Sequence, residues 1–540
     1  MTCSGGVCSP TASSAVLNVQ DLAAMLASGS ATVTTTGAGV QAVDIRIDAR
    51  LSWSAGTTLS LAAFRSIALN RKVTVAGAGG VSLNFHDGGR GGEFACGDKG
   101  ALTFANTSGM LTIDGTAYTL VDSVASLATA IAANPAGDYA LAKNYDAKKD
   151  GVYASAPIPT VFSGSFNGLG NAVSNLSIND PTEDSYVGLF AETDLGSTIS
   201  NVRLPGENVE GGSGSSIQSS TEFIGGLVGY TNGGSVANSF TSGIVGGGTY
   251  AAVGGLIGIA EGPVNESGSA ATVSNVSSGD AGGLLGGATG TINSSYSTGG
   301  TSGAGYVGGL VGFYAGNLIK RSWASGTVSS SDVSTSVGGL AGINQFALID
   351  QSHASGALTC QFVCGGLVGW LGAGVDGTPR ISQSFATGSV TGTGMALGGG
   401  LIGFNESGAI LNSYASGAIS TSVAGGLAGQ NENPSGYHSI SGSYASGTVT
   451  SSAGYAGGVV GYDDFYDTNT IKHVYWDMTT SGITDPGQGA GNVANDTGIK
   501  GLSDAQLKSD LPKGFNPKIW KEDSSVNGGL PYLIANPPQN

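Results

Sequence analysis

The apolar residues of this chain fall in short runs of two or three, with glycine or a small polar residue between the runs. The clearest run is Gly225–Gly226–Leu227–Val228–Gly229, and the same pattern returns eight more times. The nine copies, which we call the glycine phrases, open at 225, 254, 282, 308, 338, 365, 399, 425 and 457, a mean spacing of 29 residues. Self-similarity at such a period is typical of solenoids and other repeat arrays.

A second phrase, of the form Ser-aromatic-small-Ser/Thr-Gly, follows most copies of the first. Its aromatic position is occupied in chain order by Phe240, Tyr296, Trp323, His353, Phe385, Tyr414 and Tyr444. Each repeat thus holds several β-prone runs separated by turn residues, with too few apolar residues to bury its own face. Stacked copies would form columns and pair their backbones with the coils above and below. The pattern predicts an all-β fold, a right-handed parallel β-helix with about one coil per repeat.

These two phrases resemble the GLUG repeat of large bacterial surface proteins, including filamentous-haemagglutinin-like exoproteins exported by two-partner secretion. The resemblance covers roughly residues 187–480, and residues 51–80 resemble the shaft of the same exoproteins. It implies an adhesive protein that is secreted or associated with the outer membrane, with an outer-membrane transporter as its partner during export. GLUG repeats also occur beside IgA-cleaving metallopeptidases, but this sequence has no His-Glu-x-x-His zinc-binding pattern.

The changes of pattern along the chain divide it into five parts. They are an N-terminal segment with a short helix (1–30), an irregular β-helix section (31–120), a helical and loop insertion (121–160), the repeat β-helix (161–480), and a C-terminal loop and cap (481–540). Helical spacing and capping residues predict helices at 19–27, 122–134 and 503–507. We expect residues 139–156, the most polar stretch, to form a surface excursion, and residues 502–536 to cover the last open strand. We expect the glycines to occupy corners, where unusual backbone conformations and close main-chain approach are needed.

Composition and charge exclude several classes of protein. The 95 glycines and 15 prolines show no three-residue period, which excludes collagen. Only 11% of the residues are charged and the net charge is −17, which disfavours nucleic acid and anionic membranes as partners. No apolar run approaches the ~18 residues of a membrane-spanning helix. The first residues lack an apolar secretory core, so we expect an exported protein to have lost its signal, or the sequence to be a segment of a longer chain.

Five cysteines form two close pairs and one odd residue. Cys3 with Cys8, and Cys360 with Cys364, could close small loops in an oxidising compartment or remain free thiols, and Cys96 is left over. Neither pair has zinc-ribbon spacing. We therefore expect no metal and no cofactor.

Residues with catalytic potential are few. The histidines His86, His353, His438 and His473 are scattered, and we expect His353 to be a ring packed in the aromatic column rather than a ligand or a base. The best local carboxylate cluster is Asp463, Asp464 and Asp467, with Asp477 nearby in sequence. It could supply a calcium site or a glycosidase pair. We favour a solvated loop, because the aspartates are confined to one copy.

The aromatic residues would stack at one ring per coil. A second column follows the glycine phrase, namely Tyr230, Ile259, Phe313, Ile343, Trp370, Phe404 and Tyr462. Facing outward, such a column would be a strip suited to stacking on sugar rings. We favour the inward alternative, in which the rings form the interior of the β-helix.

Three functions remain. The first is a non-catalytic structural or adhesive rod of a surface exoprotein, which contacts surface molecules of host or neighbouring cells, including glycans, in adhesion or biofilm attachment. The second is a polysaccharide lyase or hydrolase, which a carboxylate pair ~5–9 Å apart in a groove would favour. The third is a glycan-binding module that uses outward-facing rings. We prefer the first.

Overall fold

The computed structural model describes residues 1–86, 88, 91–216, 222–333, 335–372, 379–432, 439–464 and 471–538. The chain forms an all-β parallel solenoid of about 16 turns with only 6% helix, which confirms the predicted fold class. Its helices are Val19–Ser28, Val124–Ala133 and the single turn Asp504–Leu507, with 3-10 turns at Ala147–Asp150 and Asn527–Gly529. Ser123 and Ser503 cap the last two α-helices, as serine at these positions predicts.

One sheet of 19 strands joins the irregular N-terminal section to the repeat coils. Its pairings are parallel except for the first two strands and the pair Met110–Ile113 with Thr116–Val121. Its strands are Thr2–Ser4, Val7–Ser9, Ala31–Thr34, Thr58–Ala62, Gly80–Asn84, Met110–Ile113, Thr116–Val121, Asp138–Leu141, Ser165–Asn167, Thr198–Ser200, Ser235–Ala237, Val264–Asn265, Ile292–Asn293, Leu318–Lys320, Leu348–Asp350, Arg380–Ser382, Ala409–Leu411, Ile440–Ser441 and Ile471–Lys472.

Two three-stranded parallel sheets complete the N-terminal coils. They consist of Ile45–Ile47, Ile67–Leu69 and Phe94–Cys96, and of Leu51–Trp53, Lys72–Val75 and Ala101–Phe104. Thr36–Gly37 and Val40–Gln41 form a small antiparallel hairpin. Leu22 and Leu26 of the first helix pack on the core of this section, so the helix lies against its first coils.

The segment 139–156 is not the surface excursion that its polar composition predicts. Asp138–Leu141 pairs in parallel with Thr116–Val121 on one side and with Ser165–Asn167 on the other. Tyr145–Asp146 pairs in the same way with Val173–Ser174. The polar residues are concentrated on the exposed 3-10 turn, while the strand side chains beside them are buried. The segment therefore forms part of the solenoid wall.

In the repeat region, each coil adds strands to two further sheets. A ten-stranded sheet follows the glycine phrase and consists of Phe190–Thr193, Val228–Thr231, Ile257–Ala260, Leu285–Ala288, Val311–Tyr314, Ala341–Asn344, Val368–Leu371, Ile402–Asn405, Ala428–Asn431 and Val460–Asp463.

A 27-stranded sheet carries the strands that lead into each glycine phrase, the aromatic phrase and the run that follows it. Its strands are Ser177–Asn179, Tyr186–Val187, Arg203–Glu210, Phe223–Gly225, Phe240–Thr249, Ala252–Gly254, Gly268–Ser269, Thr272–Ser277, Ala281–Gly282, Tyr296–Ser297, Thr301–Ser302, Val307–Gly308, Trp323–Ala324, Val328–Ser329, Ser336–Gly338, His353–Ala354, Leu358–Cys360, Val363–Gly365, Phe385–Ala386, Val390–Gly392, Leu397–Gly399, Tyr414–Ala415, Ile419–Gly425, Tyr444–Ala445, Val449–Gly457, Val474–Asp477 and Ile499–Leu502.

The glycine phrases are required for close main-chain approach rather than for unusual backbone angles. A Cβ on Gly365 would lie 1.8 Å from the carbonyl oxygen of Val368, and a Cβ on Gly308 would lie 1.9 Å from that of Val311. No described glycine of the nine phrases has positive φ. The left-handed corner falls instead on a residue just before each aromatic phrase, with φ between 46° and 51° at Asn238, Glu266, Ser294, Arg321, Gln351, Gln383 and Asn412.

A column of buried serines fixes that corner. The backbone N–H of Ser352 donates to Oγ of Ser384 at 3.1 Å, and this Oγ donates in turn to the carbonyl oxygen of Ser382 at 2.8 Å. The same N–H to Oγ bond links Ser239, Ser267, Ser295, Ser322, Ser352, Ser384, Ser413 and Ser443 in sequence. Buried backbone donors therefore find partners where the sheet ladder is interrupted.

The C-terminal part closes the solenoid in two ways. Residues 478–502 add a last turn, with Ile483, Ala490 and Ile499 joined to the main core. Residues 503–538 follow this turn, and we call them the C-terminal segment. They run back along the flank, where Trp520–Lys521 and Tyr532–Leu533 pair in an antiparallel hairpin. The segment therefore covers apolar rings on the flank of the solenoid.

Candidate ligand-binding face

Strand register places one residue of each coil in a single outer column. In order, this aromatic column consists of Arg203, Phe240, Gly268, Tyr296, Trp323, His353, Phe385, Tyr414, Tyr444, Tyr475 and Lys500. The column contains every aromatic residue predicted for it, and it adds Tyr475 from residues 473–477, an altered copy of the aromatic phrase.

The aromatic column faces outward, contrary to our expectation. Ala324, Ala354 and the alanines in the same position of later coils point into the main core, whereas the neighbouring rings do not belong to it. Phe240, Tyr296, Trp323 and His353 are half-buried. The rings from Phe385 onward are buried because the C-terminal segment covers them, with Phe515, Trp520 and Leu533 in a separate core. Burial of these rings was predictable, but the C-terminal segment buries them from outside, and the interior of the coil does not.

Most rings of the aromatic column stack on one another. Tyr296 and Trp323 stack at 4.9 Å between ring centroids with 8° between planes, and His353 and Phe385 stack at 4.7 Å with 1°. Stacked rings present their edges to solvent, since their faces are in contact. The column as a whole is therefore not the strip of open ring faces that a sugar-stacking surface needs.

His353 occupies the aromatic column as expected. Its ring lies between Trp323, at 6.0 Å, and Phe385. Burial lowers the pKa of His353, and a hydrogen bond with Asn536 opposes that effect. The imidazole is therefore a neutral packing residue near neutral pH.

The second predicted column also lies outside the core. Tyr230 contacts Phe223 at 5.4 Å, and Trp370 contacts Phe404 at 5.7 Å, in both cases with tilted rings. Strand register places Gly287 and Gln430 at the same position in their coils, so the column is interrupted twice.

The predicted aspartate cluster is split between the inside and the outside of the coil. Asp463 is fully buried and accepts a 3.0 Å hydrogen bond from Nδ2 of Asn431. Asp464 lies outside and accepts from Nε2 of Gln430 at 2.9 Å. Asp477 is buried and accepts from the N–H of Thr479 at 2.8 Å. Consecutive residues in extended chain point to opposite sides, so closeness in sequence did not bring these carboxylates together. Asp467 and His438 lie outside the described residues.

The structure instead brings together acidic residues from successive coils. Burial raises the pKa of Glu432, and so do a hydrogen bond with Asp464 and the charge of Glu406. Nε1 of Trp370 donates to Oε2 of Glu406 at 3.1 Å. The signal was present in the sequence, since Asn405–Glu406, Asn431–Glu432 and Asp463–Asp464 recur where the same strand of each coil ends.

A pocket of about 260 Å³ opens beside the aromatic column at Gly268. It is lined by Cys96, Asp98, Arg203, Asn238, Ser239, Phe240, Glu266, Gly268 and Tyr296. Arg203 donates through Nη1 to the carbonyl oxygen of Asp98 at 2.6 Å and through Nη2 to that of Gly97 at 2.6 Å. These bonds anchor residues 96–98 of the N-terminal section as one wall. Sequence reasoning missed this pocket because its walls come from residues about 100 to 200 positions apart.

The cysteines form the two close pairs considered from the sequence. Cys3 is bonded to Cys8 and Cys360 to Cys364. Cys96 is free, and burial raises the pKa of its thiol to about 12. Within the described ranges, no three His, Cys, Asp or Glu side chains are grouped in a way that could hold a metal ion. None of the helices in those ranges has the length and apolar character needed to cross a bilayer.

Comparisons with known proteins give local or distant likeness. No family model matches the chain. Halomucin of Haloquadratum walsbyi is 44% identical over 107 residues, which covers 18% of this chain and 1% of that protein. A solved structure from Bacteroides ovatus, provisionally named an immunoglobulin A1 protease, aligns over 78% of this chain and 93% of its own, with 16% identity and a TM-score of 0.31. A likeness at that TM-score carries no argument about the function of the chain.

Proposed function

We propose that this chain is the non-catalytic rod section of an exported cell-surface protein of the GLUG-repeat, filamentous-haemagglutinin-like kind, and that it serves in adhesion. The observation that carries the proposal is the single 19-stranded sheet, which runs from Thr2–Ser4 to Ile471–Lys472 without a break in pairing. At about 4.8 Å per turn, 16 turns form a rod roughly 77 Å long. Each coil contacts mainly its neighbours, so such a rod holds a binding surface at a fixed distance from its anchor.

Two further observations support an exterior location. The disulfides Cys3–Cys8 and Cys360–Cys364 are the kind of bond that persists in oxidising compartments. The local likeness to a protein named as a mucin fits the same setting. The partners we propose are surface molecules of host or neighbouring cells, including glycans, with an outer-membrane transporter during export.

The proposal that the rod is non-catalytic rests on the carboxylates. Glycosidase pairs stand ~5–9 Å apart, so that a sugar bond and a nucleophile fit between them. The carboxyl groups of Glu432 and Asp464 instead share one donor, Nε2 of Gln430, which reaches them at 2.7 Å and 2.9 Å, so they stand too close together for such a pair. A polysaccharide lyase or hydrolase remains the second candidate, because Glu406, Glu432 and Asp464 follow one outer corner. Incubating the purified chain with a panel of polysaccharides and measuring new reducing ends or unsaturated products tests it.

Localisation and attachment test the main proposal. Antibodies against the chain should label intact cells of the source organism, and protease added outside should remove the label. Beads coated with the chain should attach to those cells or to their substratum more than beads coated with albumin. Labelling that appears only after permeabilisation would refute the surface location, and equal attachment of both bead types would refute adhesion.

A further inference from the structure

Gly268 is the one residue between the two ends of the aromatic column that has no side chain, and the pocket lies beside it. Gly268 pairs with Phe240 on one side and Tyr296 on the other. A Cβ on Gly268 would lie 2.4 Å from Cζ of Tyr296, so that ring leans over the glycine. Phe240 and Tyr296 are 6.5 Å apart with 33° between their planes, unlike the parallel rings of later coils. The two rings therefore lean toward each other over the glycine, and the break in the stack leaves a tapered space beside them, which we call the wedge.

The remaining walls of the wedge are polar. Glu266 and Asn238 stand at the left-handed corners of adjacent coils, with φ of 48° and 50°, which places their side chains beside the break. Nδ2 of Asn238 donates to Oε2 of Glu93 at 3.3 Å, and burial together with the nearby charge of Glu93 raises the pKa of Glu266. Asp98 lies on the opposite wall, where Arg203 holds its backbone. Acidic and amide groups thus face two apolar ring surfaces across a small volume.

We propose that this pocket binds one neutral sugar ring, a hexose or an N-acetylhexosamine, as the terminal unit of a glycan. Its volume of about 260 Å³ suits a single ring rather than a longer ligand. Sugar hydroxyls donate hydrogen bonds to carboxylates and accept them from amides, while the C–H face of the ring packs on aromatic surface. The carboxyl groups of Asp98 and Glu266 supply acceptors, Asn238 supplies a donor, and Phe240 and Tyr296 supply the apolar walls.

The charges of the pocket select against acidic sugars. Both terminal nitrogens of Arg203 already donate to backbone carbonyl oxygens, including a bond of 3.2 Å from Nη2 to Cys96. An incoming carboxylate would therefore meet Asp98, Glu266 and Glu93, and it would compete with three backbone carbonyl oxygens for the terminal nitrogens of Arg203. Like charges at close range disfavour binding, whereas a neutral sugar does not incur that cost.

This inference deepens the proposed function, because it names the chemistry of the receptor. Binding is measured on the purified chain and does not depend on export or on attachment to cells. If sugars fail to bind while surface labelling and bead attachment hold, only the present inference is refuted. If sugars bind but the chain is not on the surface, the adhesive proposal is refuted and the site stands.

The experiment is ligand-observed saturation-transfer NMR and calorimetry with the full chain. The probes are N-acetylglucosamine, galactose and glucose, with N-acetylneuraminic acid as the anionic comparison. We expect at least one neutral sugar to bind with a dissociation constant on the order of 1 mM. We expect the change Gly268→Phe, which completes the stack and fills the wedge, to weaken that binding at least tenfold. No binding of any neutral probe up to roughly 50 mM, or tighter binding of the acidic sugar, would overturn the proposal.

A second variant tests the site even if Gly268→Phe fails to fold. Gln351 and Gln383 occupy the same left-handed corner in later coils, so Glu266→Gln is a change that the fold already accepts. It should weaken sugar binding several-fold while leaving the melting temperature within a degree or two. Glu192→Gln is the matched control, since Glu192 is also a partly buried acid beside another carboxyl group, Asp194, and it does not line the pocket. Undiminished binding in both Gly268→Phe and Glu266→Gln would place the sugar elsewhere and refute the site.

Discussion

The phenolic hydroxyl of Tyr444 donates a hydrogen bond of 2.7 Å to the backbone carbonyl oxygen of Pro531. Nδ2 of Asn527 reaches the same two oxygens, at 2.8 Å and 3.0 Å. Tyr444 belongs to the aromatic column and Pro531 to the C-terminal segment. The segment is therefore held by specific polar bonds as well as by apolar contact, and its end reaches the His353 coil, where Asn536 donates to the carbonyl oxygen of Ser352.

Removing the Trp520 ring should release the C-terminal segment and leave the coil folded. Trp520 is 1% exposed and contacts Tyr444 at 5.8 Å and Phe515 at 4.6 Å. These residues form a core separate from that of the coil interior. We expect Trp520→Ala to cost about 3–5 kcal/mol of docking free energy. Limited proteolysis should then cleave within 503–538 at a protease level that leaves the repeat region intact.

Trp520→Phe is the control for this prediction. Nε1 of Trp520 is buried and has no hydrogen-bond partner among the described residues, so the phenyl ring loses no bond. The variant should remain close to the parent in protease resistance. A single cooperative loss of the whole fold in Trp520→Ala would show that the two cores are one unit.

Each serine of the serine column should contribute measurably to the free energy of unfolding. In Ser384→Ala the backbone N–H of Ser352 loses its acceptor in a buried corner. An unsatisfied buried donor costs about 1–3 kcal/mol. Denaturant unfolding should show that loss, while Ser389→Ala, at an exposed position in the same coil, should change the free energy of unfolding by less than about 0.5 kcal/mol. Equal effects of the two substitutions would mean that the hydroxyl group of Ser384 does not stabilise the fold.

The solenoid was predictable because its signal is repeated and local. Glycine phrases 29 residues apart recur often enough to reveal the coil before any contact is known. The helix Val124–Ala133 was also predictable, since Ser123 caps it and Val124, Leu127 and Ile131 share one face. What composition could not show is that the polar stretch after this helix still supplies buried strand residues, because burial alternates residue by residue.

The candidate site was much less accessible from the sequence. The aromatic column can be predicted from the repeated phrase, but its direction depends on Ala324 and its equivalents, which fill the interior. It depends also on the C-terminal segment, which covers rings from Phe385 to Tyr475 that lie about 40 to 150 residues away in sequence. The pocket depends on Gly268, and in the sequence this glycine shows only that one repeat lacks its aromatic residue. Strand register shows that Arg203 faces the pocket, and the hydrogen bond from Arg203 shows that Asp98 lies beside it.

A methyl group on a phrase glycine should be poorly tolerated. In Gly365→Ala the added Cβ would lie 1.8 Å from the carbonyl oxygen of Val368 and 2.7 Å from the backbone N of Gly403. Backbone atoms of two coils would have to move, so we expect a loss of about 3–5 kcal/mol in the free energy of unfolding. Gly56→Ala, where a Cβ meets nothing within 4 Å, is the control and should be nearly neutral. If both variants were equally stable, close main-chain approach would not explain why the glycine phrases require glycine.

His353 should make the fold sensitive to mild acid. Burial lowers the pKa of His353 below that of an unfolded histidine, about 6.5. Between the two values the unfolded chain binds more protons than the native chain, so stability falls as pH falls through that window. His353→Phe keeps a stacked ring and should reduce the difference in free energy of unfolding between pH 7.5 and about pH 5. An unchanged difference would indicate that His353 does not contribute to acid sensitivity.

Glu207 should have the opposite effect on the pH dependence. It is 2% exposed, and neither carboxyl oxygen has a partner among the described residues. Burial alone raises the pKa of Glu207 well above its usual value. The native chain therefore keeps a proton that the unfolded chain releases above about pH 4.3, so this residue makes stability fall as pH rises. Glu207→Met should raise the free energy of unfolding at pH 8 more than at pH 5.

Glu210→Gln separates this effect from a general change of charge. Glu210 lies three residues later in the strand Arg203–Glu210 and is exposed. Its substitution should leave the pH dependence of unfolding unchanged, whereas Glu207→Met should flatten it. Parallel curves for Glu207→Met and the parent chain would mean that the carboxyl group is ionised in the native state. Such a charge could persist inside the coil only with water or a cation beside it, because an isolated buried carboxylate is strongly disfavoured.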